Sequence, residues 1–135
     1  MTRREQKALG SYVRWIADRI GLRDWHFNVF YEHDDGDDTI AICTPTYGRR
    51  RAAIRFAVDF STAYSAEEQR NTVVHELLHC HLAPIQDQVR LDLPRPLGQP
   101  AYDLFYEAFR QNLEYAVDAI AAALAKDLPM IVWPK

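Results

Sequence analysis

Two histidines and a glutamate stand together near the middle of the chain, in the segment His75-Glu76-Leu77-Leu78-His79. Successive residues of a helix turn by about 100°, so His75 and His79 lie one turn apart on the same face. Two imidazoles in that arrangement can bind one Zn²⁺, and the Glu76 carboxylate beside them can take a proton from water at the metal. The H-E-x-x-H spacing therefore predicts a zinc site with hydrolytic chemistry.

A catalytic zinc site needs a third protein ligand and keeps a fourth position open. Far along the chain, Glu114 and Asp118 are four residues apart and so share one helix face. We predict that Glu114 supplies an oxygen ligand and that Asp118 accepts the free N–H of a ligating histidine. Glu107, on the same face, is the fallback ligand, and Asp87 is a weaker alternative. Such an acidic face is usually just the solvated side of a helix, and the upstream motif is what favours the metal interpretation.

The motif must lie on a helix, and local signals delimit one around it. The capping box Ser-x-x-Glu at residues 65–68 predicts a helix over residues 66–83, where Pro84 disfavours continuation. The apolar residues share one sector of that helix, and the two histidines lie at its margin, where a cleft can form. The members of the sector are Val73, Val74, Leu77, Leu78 and Leu82.

The histidine and the cysteines near the motif are expected to have structural roles. His81 falls among the apolar positions, so we expect a core or hairpin-contacting histidine rather than a ligand. Cys80 is expected to be a small buried residue. Cys43 and Cys80 are expected to be free thiols, because no export signal precedes them.

The first 60 residues predict one helix and three strands. A capping box and apolar residues at helical spacing indicate a helix over residues 3–20, with Gly21 as its stop. Residues 25–31 and 39–43 are typical of strands, with a turn over residues 33–38 between them. Residues 52–60 alternate strictly and predict a half-buried strand, paired with residues 39–43 in an antiparallel hairpin. Its apolar face would be Ile54, Phe56, Val58 and Phe60.

The last third of the chain predicts an irregular connection over residues 84–100 and a helix over residues 101–128. A short apolar tail at residues 130–133 would pack on the body. The side of the long helix opposite the carboxylates is predicted to be its core face. The residues on that side are Phe105, Phe109, Leu113, Ala116, Ile120 and Leu124.

Together these elements predict a single α+β domain over residues 1–135. A small antiparallel or mixed sheet of about three strands would pack on the N-terminal helix, the motif helix and the long C-terminal helix. Composition agrees, since 48% apolar and 26% charged residues in a 135-residue chain are ordinary for a globular domain. The net charge of −3 does not favour a nucleic-acid partner, and no apolar run is long enough for a membrane span or signal peptide. We therefore expect an intracellular, cytoplasmic protein.

The motif and the second carboxylate pair resemble the zincin metallopeptidases, and more narrowly the gluzincin type. In that type a second helix with an E-x-x-x-D segment completes the zinc site, which is matched here by Glu114 and Asp118. The run His75–Leu82 is also similar to SprT-like proteases, whose third ligand is a later histidine. This chain has no histidine after His81, so a strict SprT-type site cannot be built. The length implies a minimal single-domain form, such as a phage or prophage would encode.

The resemblance implies a zinc metallopeptidase that acts on a peptide or protein substrate. It also implies that the strand before the motif helix, residues 52–60, binds an extended substrate along its edge. The donor that stabilises the oxyanion is left open among Tyr47, Tyr64, Tyr102, Tyr106 and Arg55. Two alternatives stay open: a non-catalytic zinc-binding interaction module, and a helical interaction protein in which the motif is accidental. The oligomeric state is not predicted.

Overall fold

The computed structural model describes residues 1–33 and 39–135, with only the backbone described at residues 32 and 33. The described chain has the predicted α+β architecture, a three-stranded mixed sheet with helices around it. Apart from His33, which ends a strand, the turn predicted over residues 33–38 lies outside the described residues. In chain order the elements are α1 (Arg3–Arg19), β1 (His26–His33), β2 (Ala41–Pro45), β3 (Arg51–Ala57), α2 (Phe60–Ala63), α3 (Ala66–Asp92), α4 (Pro94–Leu97) and α5 (Gln99–Ala125).

Both predicted capping boxes are formed. The Thr2 hydroxyl accepts the backbone N–H of Glu5 at the start of α1, and the Ser65 hydroxyl accepts that of Glu68 at the start of α3. Each glutamate side chain in turn accepts the N–H of its capping residue, so two otherwise unpaired donors are satisfied at each helix start. Helix α1 ends at Arg19, and Gly21 follows with φ of +88°, a conformation that glycine adopts without steric cost.

The sheet order is β1-β3-β2, with β3 parallel to β1 and antiparallel to β2. The predicted antiparallel hairpin is therefore confirmed. The expectation that β3 binds a substrate along its edge is wrong, because β3 is the central strand and its backbone is paired on both sides. Among the described strands, β2 is the edge that faces away from β1.

The strand predicted over residues 52–60 ends earlier, at Ala57. The backbone carbonyl of Asp59 accepts the N–H groups of Thr62 and Ala63, which turns the chain into the short helix α2. Val58 is therefore exposed, contrary to prediction, whereas Phe60 is buried from α2, with its ring 4.8 Å from that of Phe56. The alternation of apolar and polar residues thus extends beyond the strand, which ends at Ala57.

Helix α3 does not end before Pro84, as the sequence predicted, but continues to Asp92. A proline inside a helix removes one hydrogen bond and disfavours the turn before it. The half-buried positions Leu82, Gln86, Val89 and Leu93 nevertheless keep the helical spacing of four, three and four residues across it. Gln86 on this face contacts Tyr106 of α5. The connection predicted over residues 84–100 is mostly helical.

The hydrophobic core lies between the sheet, α1 and α3, with the far end of α5 closing it. It includes fully buried residues from each of these elements: Ile16, Ile54, Phe56, Leu77 and Val117. The predicted apolar sector of α3 faces this core, with Leu82 only half-buried. Ile131 is buried and Trp133 partly so, which confirms that the C-terminal tail packs on the body.

The prediction of which side of α5 faces the core is wrong. Its buried residues are Tyr102, Val117, Ala121 and Ala125, whereas Phe105, Ile120 and Leu124 are each more than 40% exposed. The helix is rotated so that Glu114 and Asp118 meet the histidines of α3, although both carboxylates stay partly exposed. None of the described helices is both long and apolar enough to cross a bilayer.

We expect Phe56→Ala to lower the free energy of unfolding by about 3–5 kcal/mol, because the ring is fully buried and its loss leaves a cavity. Urea denaturation followed by circular dichroism would measure the change. Phe30→Ala is the matched control, since Phe30 is 44% exposed and its loss should cost about 1 kcal/mol or less. Equal losses in the two variants would contradict this assignment of the core.

Candidate metal centre

Helices α3 and α5 run antiparallel, and their register assembles the site. As the chain advances along α5, its contacts step back along α3: Tyr106 lies against Gln86, Glu114 against His79, and Asp118 against His75. From Glu114 to Asp118 the step of four residues on α5 is matched by the four residues from His79 to His75, which is one turn on each helix. The i,i+4 histidine pair and the i,i+4 carboxylate pair therefore face each other.

Three potential donor atoms converge between the helices. The Nε2 atoms of His75 and His79 are 3.2 Å apart, and the Oε2 atom of Glu114 is 3.4 Å from the first and 3.7 Å from the second. Ligands placed tetrahedrally at zinc–nitrogen and zinc–oxygen distances near 2.0–2.1 Å would be separated by about 3.3–3.4 Å. The three separations, 3.2–3.7 Å, are close to those of a tetrahedral zinc ion, so the predicted ligands could hold one.

Asp118 fixes the orientation of one imidazole. Its Oδ1 atom is 2.9 Å from Nδ1 of His75, the ring nitrogen that points away from the other two donors. A proton held on Nδ1 by this carboxylate leaves the Nε2 lone pair directed at the centre. The contact is the one expected from the sequence, in which Asp118 accepts the N–H of a ligating histidine.

Glu76 points into the fold beside the donors and is only 6% exposed. Burial raises the pKa of its carboxyl to about 8, with a further rise from Glu114 opposed by a hydrogen bond from the Cys43 backbone. Burial likewise lowers the pKa of His79, which favours the neutral imidazole that binds a metal. Both pKa shifts arise because Glu76 and His79 are largely shielded from water.

A cleft of about 520 Å³ opens over the three donors and is bordered by β2. Two hydrogen bonds, from Ala57 N–H to the Ile40 carbonyl and from Thr46 N–H to the Arg51 carbonyl, show which residues of β2 direct their backbone groups toward β3. Alternation in an antiparallel ladder then directs the backbone groups of Ala41 and Cys43 away from β3, toward the cleft. The edge of β2, rather than that of β3, is therefore the strand edge at the site.

Other predicted residues fall elsewhere. In the part of the chain that the structure describes, Glu107 and Asp87 are not in the donor cluster, and Asp87 instead pairs with Arg90 at 3.0 Å. His81 is exposed, and its Nε2 lies 2.7 Å from the carbonyl of Ile20. It is thus not a core residue, because its side chain reaches the end of α1, and it is not part of the donor cluster.

Of the five oxyanion donors left open by the sequence, Tyr106 lines a cleft together with Glu114 and Asp118. Sequence reasoning missed Arg110, which lines that cleft and also the one bordered by β2. The sequence spacing could have identified Arg110, since it precedes Glu114 by four residues and so shares its helix face. It supplies positive charge beside a site that is otherwise acidic.

The two cysteines lie directly behind the site. Their Sγ atoms are 3.7 Å apart, and both thiols are free, as predicted. Cys80 is buried, also as predicted. The hydrogen bond between the thiols and the burial of Cys43 raise the pKa of the Cys43 thiol, which keeps it protonated.

No protein-family model matches this chain, and no curated protein or solved structure shows significant similarity to it. The case for the site therefore depends on its geometry.

We expect Glu114→Ala to lower zinc affinity strongly, because it removes one of three converging donors. Zinc content after dialysis and calorimetric titration would measure the loss. Glu107→Ala is the matched control, a carboxylate on the same helix outside the cluster, and it should bind zinc like the parent. Unchanged zinc binding in Glu114→Ala would contradict the assignment.

Asp118→Asn should weaken zinc binding by about 10–100-fold, the usual effect of losing a carboxylate that orients a ligating histidine. The loss should be smaller than that of Glu114→Ala. Competition with a chromophoric chelator would give both constants on one scale. Asp103→Asn, on the same helix but hydrogen-bonded to Gln99, is the control. Equal effects of the two asparagine variants would show that Asp118 does not act on the site.

Proposed function

We propose that this protein is a zinc-dependent metallopeptidase with a gluzincin-type site. The observation that carries the proposal is the convergence of His75, His79 and Glu114 at tetrahedral separations, beside the buried carboxylate of Glu76. Two imidazoles and one carboxylate form the ligand set of catalytic zinc in several metallopeptidases, where the fourth position is left to water or substrate. A structural zinc site would instead use a closed set of four protein ligands.

The residues have distinct roles in this proposal. His75, His79 and Glu114 would hold the ion, which supplies a Lewis acid that acidifies water and polarises a peptide carbonyl. Glu76 would accept the proton of the attacking water and deliver it to the leaving amine, a role that requires the ionised carboxylate, which the positive charge of a bound cation would favour. Its enclosure directs that exchange into the cleft rather than into bulk solvent. Tyr106 and Arg110, on the facing helix, are the candidates to donate to the oxyanion.

The proposed substrate is an extended peptide segment bound along β2. The outward backbone groups of Ala41 and the carbonyl of Cys43 can pair with an added strand, while the Cys43 N–H serves Glu76. A strand in that position would cross the cleft that contains the three donors. A folded protein cannot present such a strand, so unfolded or locally extended chains are favoured. The two free thiols fit a reducing, intracellular setting for this activity.

We expect Glu76→Gln to retain zinc while peptide hydrolysis falls by about 10²–10⁴-fold, the usual contribution of a general base. Cleavage of an unfolded casein-type substrate, with and without chelator, would be measured alongside metal content. Glu67→Gln, an exposed position on the same helix, should behave like the parent.

Two results would contradict the proposal. Zinc-loaded Glu76→Gln that cleaves as fast as the parent would exclude Glu76 as the base. A parent protein that binds zinc tightly but cleaves no unfolded substrate would favour the alternative, a non-catalytic zinc-binding interaction module.

A further inference from the structure

Helix α5 exposes large apolar side chains over the part of its surface where a surface helix usually has charged ones. The charged residues between Ala101 and Leu124 all lie within a sector of about 80°, toward α3. The rest of the helix surface has no charged residue over that span, and five of its large side chains are between 41% and 75% exposed. The members of the charged sector are Asp103, Glu107, Arg110, Glu114 and Asp118, and those of the exposed set are Leu104, Phe105, Tyr115, Ile120 and Leu124.

The outward side also contains a regular seam. Six residues recur at intervals of four, three, four, three and four, which is the 3.5-residue period of helices that pack along each other. They lie within about 40° of a line directly opposite Glu114 on the helix. The seam residues are Phe105, Phe109, Asn112, Ala116, Ala119 and Ala123.

The order of sizes along the seam fits an antiparallel copy of itself. In such a pair Phe105 of one copy lies level with Ala123 of the other, and Phe109 lies level with Ala119. Each layer then combines one large and one small side chain, which fills the space between helices evenly. A parallel pair would instead stack rings on rings at one end and leave voids between alanines at the other. The two-fold axis of the antiparallel pair passes at the level of Glu114.

The area and the absence of charge fit a second copy as a weakly bound occupant. At about 200 Å² per large side chain, the exposed fractions of Phe105, Tyr115 and Ile120, which lie nearest the seam, amount to roughly 300 Å² before alanines and backbone are added. Interfaces below the standard size of about 800 Å² per partner are typical of weak, concentration-dependent association. An uncharged seam meets no like charge when it packs on itself, as a two-fold interface demands. The acidic sector of α5 disfavours an anionic lipid surface as the alternative.

We propose that the protein forms a two-fold dimer in which the outward faces of α5 pack antiparallel along this seam. Each copy then supports the other's α5 from behind, at the level of the proposed third zinc ligand. The dimer requires no metal and no catalytic activity, so it can be tested independently of the proposed function.

Sedimentation equilibrium of the metal-free full chain is the first test. The parent should be a dimer at tens of micromolar, and Ala116→Glu should raise the dissociation constant by about 100-fold or more, because it places like charges near the two-fold axis. Ala116 is exposed, and circular dichroism would verify that the variant is folded. Ala66→Glu, the same change at an exposed alanine of α3, should dimerise like the parent.

Disulfide cross-linking provides an independent test of orientation. In a Cys43→Ala, Cys80→Ala background that removes the two native thiols, Phe105→Cys and Ala123→Cys chains, mixed and oxidised, should cross-link to each other. Neither should cross-link with itself, because identical positions would lie about 27 Å apart along the axis of the pair.

Three results would overturn the proposal. They are a parent that stays monomeric at about 100 µM, a dimer that Ala116→Glu does not weaken, and chains that cross-link with themselves through the one introduced cysteine. A monomer that binds phosphatidylcholine vesicles would also overturn it and assign the face to lipid.

Discussion

The antiparallel register of α3 and α5 is the constraint on which the site depends. One turn on α5 separates Glu114 from Asp118, and one turn on α3 separates His79 from His75, so the two pairs meet only when the helices are aligned in this register. Burial of Val117 and Ala121 on the core side of α5 holds it there. A slip of one turn would move both carboxylates off their partners together.

The same constraint explains the unusual polarity of α5. The carboxylates must meet histidines across the helix pair, so this side of α5 turns toward the open cleft, where Glu114 and Asp118 keep 46% and 67% of their side chains exposed. The apolar residues that complete an amphipathic helix are then left outside, and Phe105 and Ile120 are exposed. The site and the proposed dimer face are thus two consequences of one rotation of the helix. The proposed dimer would thus pack on the helix that supplies Glu114.

Local chemistry was predictable from the sequence where it depends on spacing within one element. The histidine pair, the carboxylate pair and both capping boxes are features of helical period alone. Features that depend on packing between elements were not predictable in the same way. The rotation of α5, the central place of β3 and the passage of α3 through Pro84 follow from tertiary contacts, which outweigh local patterns. Arg110 was missed because its position matters only once α5 faces the cleft.

X-ray absorption at the zinc edge of the metal-loaded protein tests the central claim most directly. The account predicts two imidazole nitrogens and one carboxylate oxygen at about 2.0–2.1 Å, with a further light-atom position from outside the protein. If the carboxylate oxygen is absent from the zinc ligands of Glu114→Ala, that ligand comes from α5. Scattering from sulfur at about 2.3 Å, which Cys43 or Cys80 would supply, or failure to bind zinc, would contradict it.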